Sequence, residues 1–356
     1  MSRPTAEGEY VAARYRVAVV GAGSRAANHI ACYAEIPEAQ VVAVADRSGR
    51  RSPTVAAHYG LRAYQDVGEM LERERPHLVH VVTGPEGRVH LMEQVAAAGV
   101  PLCTVEKPVA VGVSDYRRLC TLAATSSTRF AVSHQFSWHP TYVRLHEAIA
   151  AGDVGAVRWL EMSAGMSVTG QGTHILHYGM AWNGASPVTR VFGAASGWDG
   201  KDPDHPGPRA TEAELEFANG ARGLWLTGAA APRVGQWSTV WQHVRLVLYG
   251  TRGSATWEEF GDDELTAGLR SARSPFGGMD AWRRHNLTAQ AGFHRAMLHW
   301  LDHPRDPPST ALEASLHEWK VVLALYESAL TRRMVDVATF EPEPDLVTKL
   351  TAALTL

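Results

Sequence analysis

Between Tyr15 and Phe136 short apolar runs alternate with amphipathic stretches of helical length: "RVAVVGAG", then "RAANHIACYAEI", then "AQVVAVADRS". The rhythm continues through "PHLVHVVTG", "GRVHLMEQVAAAG" and "VPLCTVEKP". Unbroken β-branched runs belong to strands covered on both faces, and strand-helix alternation predicts a parallel, right-handed, doubly wound sheet. After "SWHPTYVRLHEAIAAGDVG" the pattern changes to strand-like runs joined by hairpin signals, which predicts a mainly antiparallel sheet. "TEAELEFANGARGLWLTGAA" sets Asn219-Gly220 between two alternating segments and predicts a type I′ hairpin; "VRLVLYGTRGSATWEEF" predicts a second hairpin. "GWDGKDPDHPGPRA" and "RSARSPFGGMDAWRRHN", rich in Gly, Pro and charge, are expected to be surface loops. "TAQAGFHRAMLHWLDH" and "LEASLHEWKVVLALYESALTRR" have helical periodicity. The expected organisation is an N-terminal tail at 1–14, a doubly wound α/β domain at 15–136, a second α/β domain at 137–342 and a C-terminal tail at 343–356.

Size and composition agree with two domains. At 356 residues the chain exceeds the length over which one core usually grows. Hydrophobic residues at 45% and charged residues at 20% are ordinary for a soluble globular protein. The net charge of −3, without long runs of either sign, argues against nucleic acid and anionic membrane as partners. The first residues lack the apolar core of a signal peptide and no segment has the apolar length of a membrane span, so a cytoplasmic location is expected. Cys32, Cys103 and Cys120 have neither the number nor the spacing of a disulfide framework or a thiolate metal site.

Chemistry enters at the first strand-helix turn, where "VAVVGAGSRA" runs into Gly21-x-Gly23-x-x-Ala26. Gly21 allows the tight bend, Gly23 lets the backbone approach a pyrophosphate, and Ala26 allows close helix-strand packing, with Ala22, Ser24 and Arg25 completing the cradle. The next strand ends in Asp46, placed to bind a ribose 2′-hydroxyl and to repel a 2′-phosphate. NAD is therefore expected over NADP, with Arg47, Arg50 and Arg51 the groups that would serve NADP instead. Two further strands end in Thr83-Gly84-Pro85, followed by His90, and in Glu106-Lys107-Pro108. Ligands of open parallel sheets bind beyond the carboxyl ends of the strands, so all of these are candidate cofactor contacts.

The order of these motifs, with "TGPEGRVH", "VEKPVA", Pro140 ahead of "IAAGDVGAVRWLE", then "GTHILH" and "LEASLHEWKVVLALYESALTRRMVDV", resembles the Gfo/Idh/MocA oxidoreductases from about Tyr15 to Val337. The resemblance implies a Rossmann domain, a substrate-binding α/β domain whose open sheet mediates assembly as a dimer or tetramer, and NAD(P)-dependent redox chemistry on a sugar, cyclitol or related derivative. Carried over, Lys107 stands at the family's catalytic lysine between Glu106 and Pro108, and Gly172 and His174 match its D-x-G-x-H segment. Two positions depart from the pattern: Gly170 stands where the family has Asp, and Ser137 where Arg is frequent.

Oxidising a carbinol requires a base for the hydroxyl proton and a donor for the charge that develops on oxygen. His174 and Lys107 are the candidates, with His177, three residues on, and Tyr178 as further polar groups in place of the absent acid. Lys107, His134, Trp138, His174 and Tyr178 are the expected substrate contacts. His174 and His177 with His134 or His139 lack zinc spacing, so no metal is expected there. Two alternatives remain: a redox-neutral, NAD-retaining enzyme that cleaves glycosides, and a non-catalytic dinucleotide sensor.

Overall fold

The computed structural model describes residues 3–4, 10–11, 13–199, 202, 204–232 and 239–355. The chain divides into two units: 1–106 with 118–135 and 287–313, and 107–117 with 136–286 and 314–356. Ahead of the first sheet, Arg3–Pro4 pairs antiparallel with Tyr10–Val11.

In the first unit the apolar runs form six parallel strands: β1 (Tyr15–Val20), β2 (Ala39–Ala45), β3 (Arg62–Tyr64), β4 (Leu78–Val81), β5 (Leu102–Val105) and β6 (Arg129–Val132). Their order is β3-β2-β1-β4-β5-β6, the doubly wound order with its reversal between β1 and β4. Val17, Val19, Ala43, Val44, Val79 and Cys103 are fully buried, as expected for strands covered on both faces. The helices α1 (Ser24–Cys32), α2 (Ser52–Tyr59), α3 (Val67–Glu74), α4 (Arg88–Ala97) and α5 (Val113–Thr125) fill the crossovers. The edge of β6 is covered by the segment around Thr310, whose carbonyl accepts from the amide of Val132 at 2.9 Å.

The second unit is built on a nine-stranded sheet. Its strands are β7 (Val157–Ala164), β8 (Val188–Asp199), β9 (Gly207–Phe217), β10 (Arg222–Gly228), β11 (Val244–Gly250), β12 (Gly253–Glu258), β13 (Asp263–Ala267), β14 (Arg270–Ser274) and β15 (Val335–Asp336), in the order β14-β13-β12-β11-β7-β10-β9-β8-β15. Every pairing is antiparallel except β7 with β10. Inward residues such as Leu215, Trp225, Leu246 and Trp257 alternate with charged neighbours, giving one buried face and one bearing ion pairs such as Arg190–Glu216 and Arg245–Glu258. The helix α6 (Pro140–Ala150) and the almost wholly buried α7 (Thr173–Trp182) belong to this unit.

Four local expectations need correction. The β9–β10 hairpin forms, but not as type I′: only Gly220 has positive φ (84°), and Phe217 and Ala221 close a three-residue loop at 2.9 Å. Asn219 is held out of the left-handed region by bonds to Ser186 and Asn183, so tertiary contacts decide the turn. The stretch 270–286 is not a loop, since it supplies β14 and the start of the helix α8 (Gly278–Asp302). Strands β8 and β9 extend into the other expected loop, 197–210, of which residues 200, 201 and 203 lie outside the described residues. The C-terminal tail beyond the helix α9 (Leu312–Thr331) contains a further helix, α10 (Leu346–Thr355), which buries Leu346 and Leu350. Among the described residues no helix is long and apolar enough to cross a membrane.

Candidate functional site

In the first unit the glycine turn joins β1 to α1. The amide of Gly21 donates to the Ala45 carbonyl at 2.7 Å, and its φ of 107° brings the chain so close to β4 that a Cβ would lie 2.1 Å from the Val82 carbonyl oxygen. Only glycine fits there. At Gly23 the opposite holds, for a Cβ would meet nothing within 4 Å. The space above Gly23 is open, and α1 begins at Gly23 without a side-chain cap, leaving its first amides to a ligand. Ala22 and Ala26 are buried beneath the turn, and Ser24 opens α1. The residues present thus fit a dinucleotide pyrophosphate.

Asp46 lies just beyond β2, where its Oδ1 accepts from the Ser48 amide at 3.1 Å and from the Ser48 hydroxyl. Arg47, Arg50 and Arg51 are exposed around it. At the end of β4, Thr83 is half-buried, Gly84 exposed and Pro85 buried. The buried Arg88 donates to the Glu106 carbonyl at 2.5 Å and to the Thr83 carbonyl, tying the ends of β4 and β5 together. The sequence reading missed Arg88, although it lies inside the quoted "TGPEGRVH". His90 sits on the exposed side of α4, 3.9 Å from the Glu93 carboxylate. Glu106 turns its carboxylate to Arg25 at 3.0 Å and to His29 at 2.9 Å.

In the second unit, Lys107 is half-buried and precedes Pro108 across a cis peptide bond. Its Nζ donates to the Gly170 carbonyl at 2.6 Å and lies 2.9 Å from His205 Nε2. The Nδ1 of His205 lies 2.9 Å from Asp202 Oδ2, and Asp202 Oδ1 accepts from the amides of Asp204 and His205, holding this loop in a tight turn. Burial, followed by the Lys107 charge, pulls the His205 pKa below the usual histidine value, against the opposing pull of Asp202. Burial raises the Asp202 carboxyl, but hydrogen bonds and charge from His205 outweigh it and leave a net lowering. The neutral His205, protonated at Nδ1 by its bond to Asp202, therefore offers Nε2 as an acceptor to the lysine ammonium.

Gly170 occupies a π-helical turn, Val168–Gly172, that leads into α7. A Cβ there would stand 2.9 Å from Met166 Cβ, so this turn has no room for an acidic side chain, and its carbonyl meets the lysine instead. At Gly172 a Cβ would stand 2.9 Å from Thr227, which sets the turn against β10. On α7 the Nδ1 of His174 lies 3.3 Å from the Tyr178 hydroxyl, with the two rings stacked at 5.9 Å. His177 is engaged differently, its Nδ1 lying 2.7 Å from the buried Glu318 of α9. Trp138 and Ser137 are half-buried in the second unit, whereas His134 is buried in the first, just past β6. His139 neighbours Thr141 and His285, and burial pulls its pKa down to about 3. Asp202 and His205 escaped the sequence reading because "DPDHP" has the composition of a solvated loop and His205 lies 98 residues from Lys107.

Residues 15–134 match the Gfo/Idh/MocA model, described as an oxidoreductase family with an NAD-binding Rossmann fold. The D-apiose dehydrogenase of Paraburkholderia graminis is 28% identical over 152 residues, which cover 42% of this chain and 40% of that protein. The inositol 2-dehydrogenase of Rubrobacter xylanophilus is 28% identical over 146 residues, covering 40% and 42% respectively. The match thus spans about two fifths of each relative. The fold is also that of an oxidoreductase from Agrobacterium radiobacter solved in complex with NAD+, L-tartaric acid and magnesium, with a TM-score of 0.76 at 20% identity over 91% of this chain and 99% of that one.

Proposed function

We propose, on the match of residues 15–134 to the Gfo/Idh/MocA oxidoreductase model, that the chain is an NAD-dependent dehydrogenase or ketoreductase acting at a carbinol or carbonyl carbon of a sugar, cyclitol or similar polyol. The observation that carries the proposal is Lys107 held between the Gly170 carbonyl and the His205–Asp202 pair. Binding alone gives no reason to bury a lysine against a histidine whose far nitrogen is fixed by a carboxylate. Acid-base chemistry does.

Bound at the turn of Gly21 and Gly23, nicotinamide dinucleotide supplies the hydride acceptor or donor. Lys107 donates to the substrate oxygen and stabilises the negative charge that grows there. In the oxidising direction His205 takes a proton from the Lys107 ammonium and the amine so freed takes the proton released from the carbinol, or His174 takes that proton directly, while Asp202, 41% exposed, balances the imidazolium formed at His205 and opens toward water. In the reducing direction the same groups deliver the proton. His205 and Asp202 thereby take the place of the acid that Gly170 lacks. Tyr178 orients His174, and His177, paired with Glu318, positions α7. Trp138 joins Lys107, His174 and Tyr178 as a proposed substrate contact.

The Asp46 carboxylate supports NAD over NADP, since a 2′-phosphate there would meet like charge. We further propose assembly through the outer face of the second sheet, where Phe192 and Tyr249 stand exposed among the ion pairs. The functional test is titration with NADH and NADPH by fluorescence, followed by a panel of sugars, cyclitols and keto-sugars read by NADH absorbance. Tighter NADH binding and a substrate-dependent absorbance change are expected. Product formation without net NADH change would replace the proposal with a redox-neutral reaction, and tighter NADPH binding would overturn the cofactor assignment.

A further inference from the structure

The first unit holds a second polar cluster. His29 on α1, His80 in β4 and His294 on α8 are each at most 1% exposed, and a ring nitrogen of each lies within 4.8 Å of the others. Their hydrogen-bond roles can be worked out from the ends inward. Arg25 only donates, and it meets Gln290 Oε1 at 3.0 Å, so the Gln290 amide nitrogen turns its N–H toward His294 Nε2 at 3.1 Å. Arg25 also holds Glu106 as a carboxylate, so His29 Nε2, 2.9 Å from that carboxylate, carries a hydrogen. His294 Nε2 is therefore a lone pair, and a neutral His29 offers a second lone pair at Nδ1, 3.1 Å away. The His294 lone pair, which the Gln290 N–H shares, thus faces the His29 lone pair at this distance, and a cation that takes both lone pairs in exchange for the Gln290 hydrogen bond relieves the repulsion between them.

We propose that His29, His80 and His294 form a binding site for a divalent transition metal of the zinc class. Two imidazole nitrogens bound to one tetrahedral zinc ion stand about 3.3 Å apart, close to the His29–His294 separation. His29 presents one nitrogen to the ion and the other to Glu106, the carboxylate-imidazole arrangement that orients metal ligands. His80 is held at Nδ1 by Thr104 Oγ1 at 2.5 Å, which leaves Nε2 for the ion. That nitrogen now meets the Tyr33 hydroxyl at 2.6 Å, so binding exchanges this hydrogen bond for ligation and makes the phenol oxygen the candidate fourth donor. Burial pulls all three histidine pKa values down, and the resulting neutral rings are the form that binds metal. A donor set of three imidazoles suits zinc, copper, nickel or iron rather than magnesium or calcium.

The test is cobalt(II) titration of the full-length protein after dialysis against a chelator, with zinc titration followed by thermal melting. The expected result is a stoichiometric cobalt ligand-field band of tetrahedral intensity and a zinc-dependent rise in Tm. His294→Gln should abolish both while circular dichroism stays native. Glu106→Gln should weaken metal affinity roughly 10- to 100-fold, as loss of an orienting partner does. Absence of the cobalt band and of the zinc-dependent Tm rise in wild-type protein would overturn the proposal, leaving a buried imidazolium at His29 that nitrogen NMR would then detect. None of these readouts depends on the oxidoreductase assignment.

Discussion

Lys107 and His205, 98 residues apart in the chain, meet at 2.9 Å, Nζ to Nε2, and His205 reaches Asp202 at 2.9 Å on its other side. A hydrogen bond to a charged group contributes roughly 1.5–3 kcal/mol, so His205→Gln is expected to lower turnover roughly 10- to 150-fold. Lys107→Met, which removes the donor itself, should cost on the order of 100- to 10,000-fold. Among the described residues the charged groups that act on His205 are Lys107, Asp202 and Asp204, and burial with the Lys107 charge sets its pKa below the ordinary histidine value. Turnover should therefore hold through neutral pH and fall only below the usual histidine range, where a protonated His205 can no longer accept from Lys107. A pH-rate profile of wild type and His205→Gln checks this: the acidic limb should vanish in the variant, and its persistence would assign the limb to another group.

Gly170→Asp, which writes the family's acid back into the sequence, should not improve the enzyme. A Cβ at this position meets Met166 Cβ at 2.9 Å, an overpacking contact worth roughly 1–3 kcal/mol of lost stability. Denaturant melts should show that loss, and Met166→Ala in the same chain should return part of it. A variant as stable as wild type with raised turnover would show that the turn can open and that the missing acid limits the reaction.

The sequence disclosed what depends on local pattern and hid what depends on closure over distance. The doubly wound sheet was legible because β1, β2, β4 and β5 are mainly apolar runs, and the tight turn at Gly21 was legible because its glycines have a fixed spacing. Lys107 was legible from its strand-end position as a candidate ligand contact, and only the resemblance offered it a catalytic role, since a lysine after a strand has no periodicity of its own. Nothing local announced His205 or Asp202, whose partner lies on another segment, or Arg88, whose burial is explained by two carbonyls it bridges. His29, His80 and His294 sit in three different elements with no metal-like spacing. Asn219 misled for the converse reason, since its dipeptide favours one turn while its bonds to Asn183 and Ser186 impose another.

The two glycines of the nucleotide turn should separate stability from binding. Gly21→Ala places a Cβ 2.1 Å from the Val82 carbonyl oxygen at a φ of 107°, so it should destabilise the first unit by more than about 2 kcal/mol. Gly23→Ala meets nothing within 4 Å in the free protein, and its Tm should stay within about 2 °C of wild type. Its added methyl occupies the space assigned to the pyrophosphate, so the Kd for NADH should rise at least about tenfold. Fluorescence titration beside thermal melting checks the pair, and unchanged NADH affinity in Gly23→Ala would place the pyrophosphate elsewhere.

Asp263, at the start of β13, provides a second pH test, read on stability rather than turnover. It is 4% exposed, and burial pushes its carboxyl up to about 6, only partly offset by hydrogen bonds from Thr141 and Glu258 and by Arg144 at 3.8 Å. In the unfolded chain the same group titrates near about 3.9. Between those values the folded state keeps a proton that the unfolded state has released, so stability falls as pH rises from about 4 to about 6. Below that window both states are protonated and the cost is absent; above it the cost of keeping the buried carboxylate charged is constant, at most about 3 kcal/mol. Asp263→Asn keeps the shape without the charge, and loses only a long ion pair to a half-exposed arginine, worth less than about 1 kcal/mol. Urea denaturation near about pH 4.5 and about pH 7.5 should show the variant gaining stability over wild type mainly at the higher pH. An equal loss at both values would mean that Arg144 and the hydrogen bonds compensate the buried charge fully, and that the ionised carboxylate holds β13 in place.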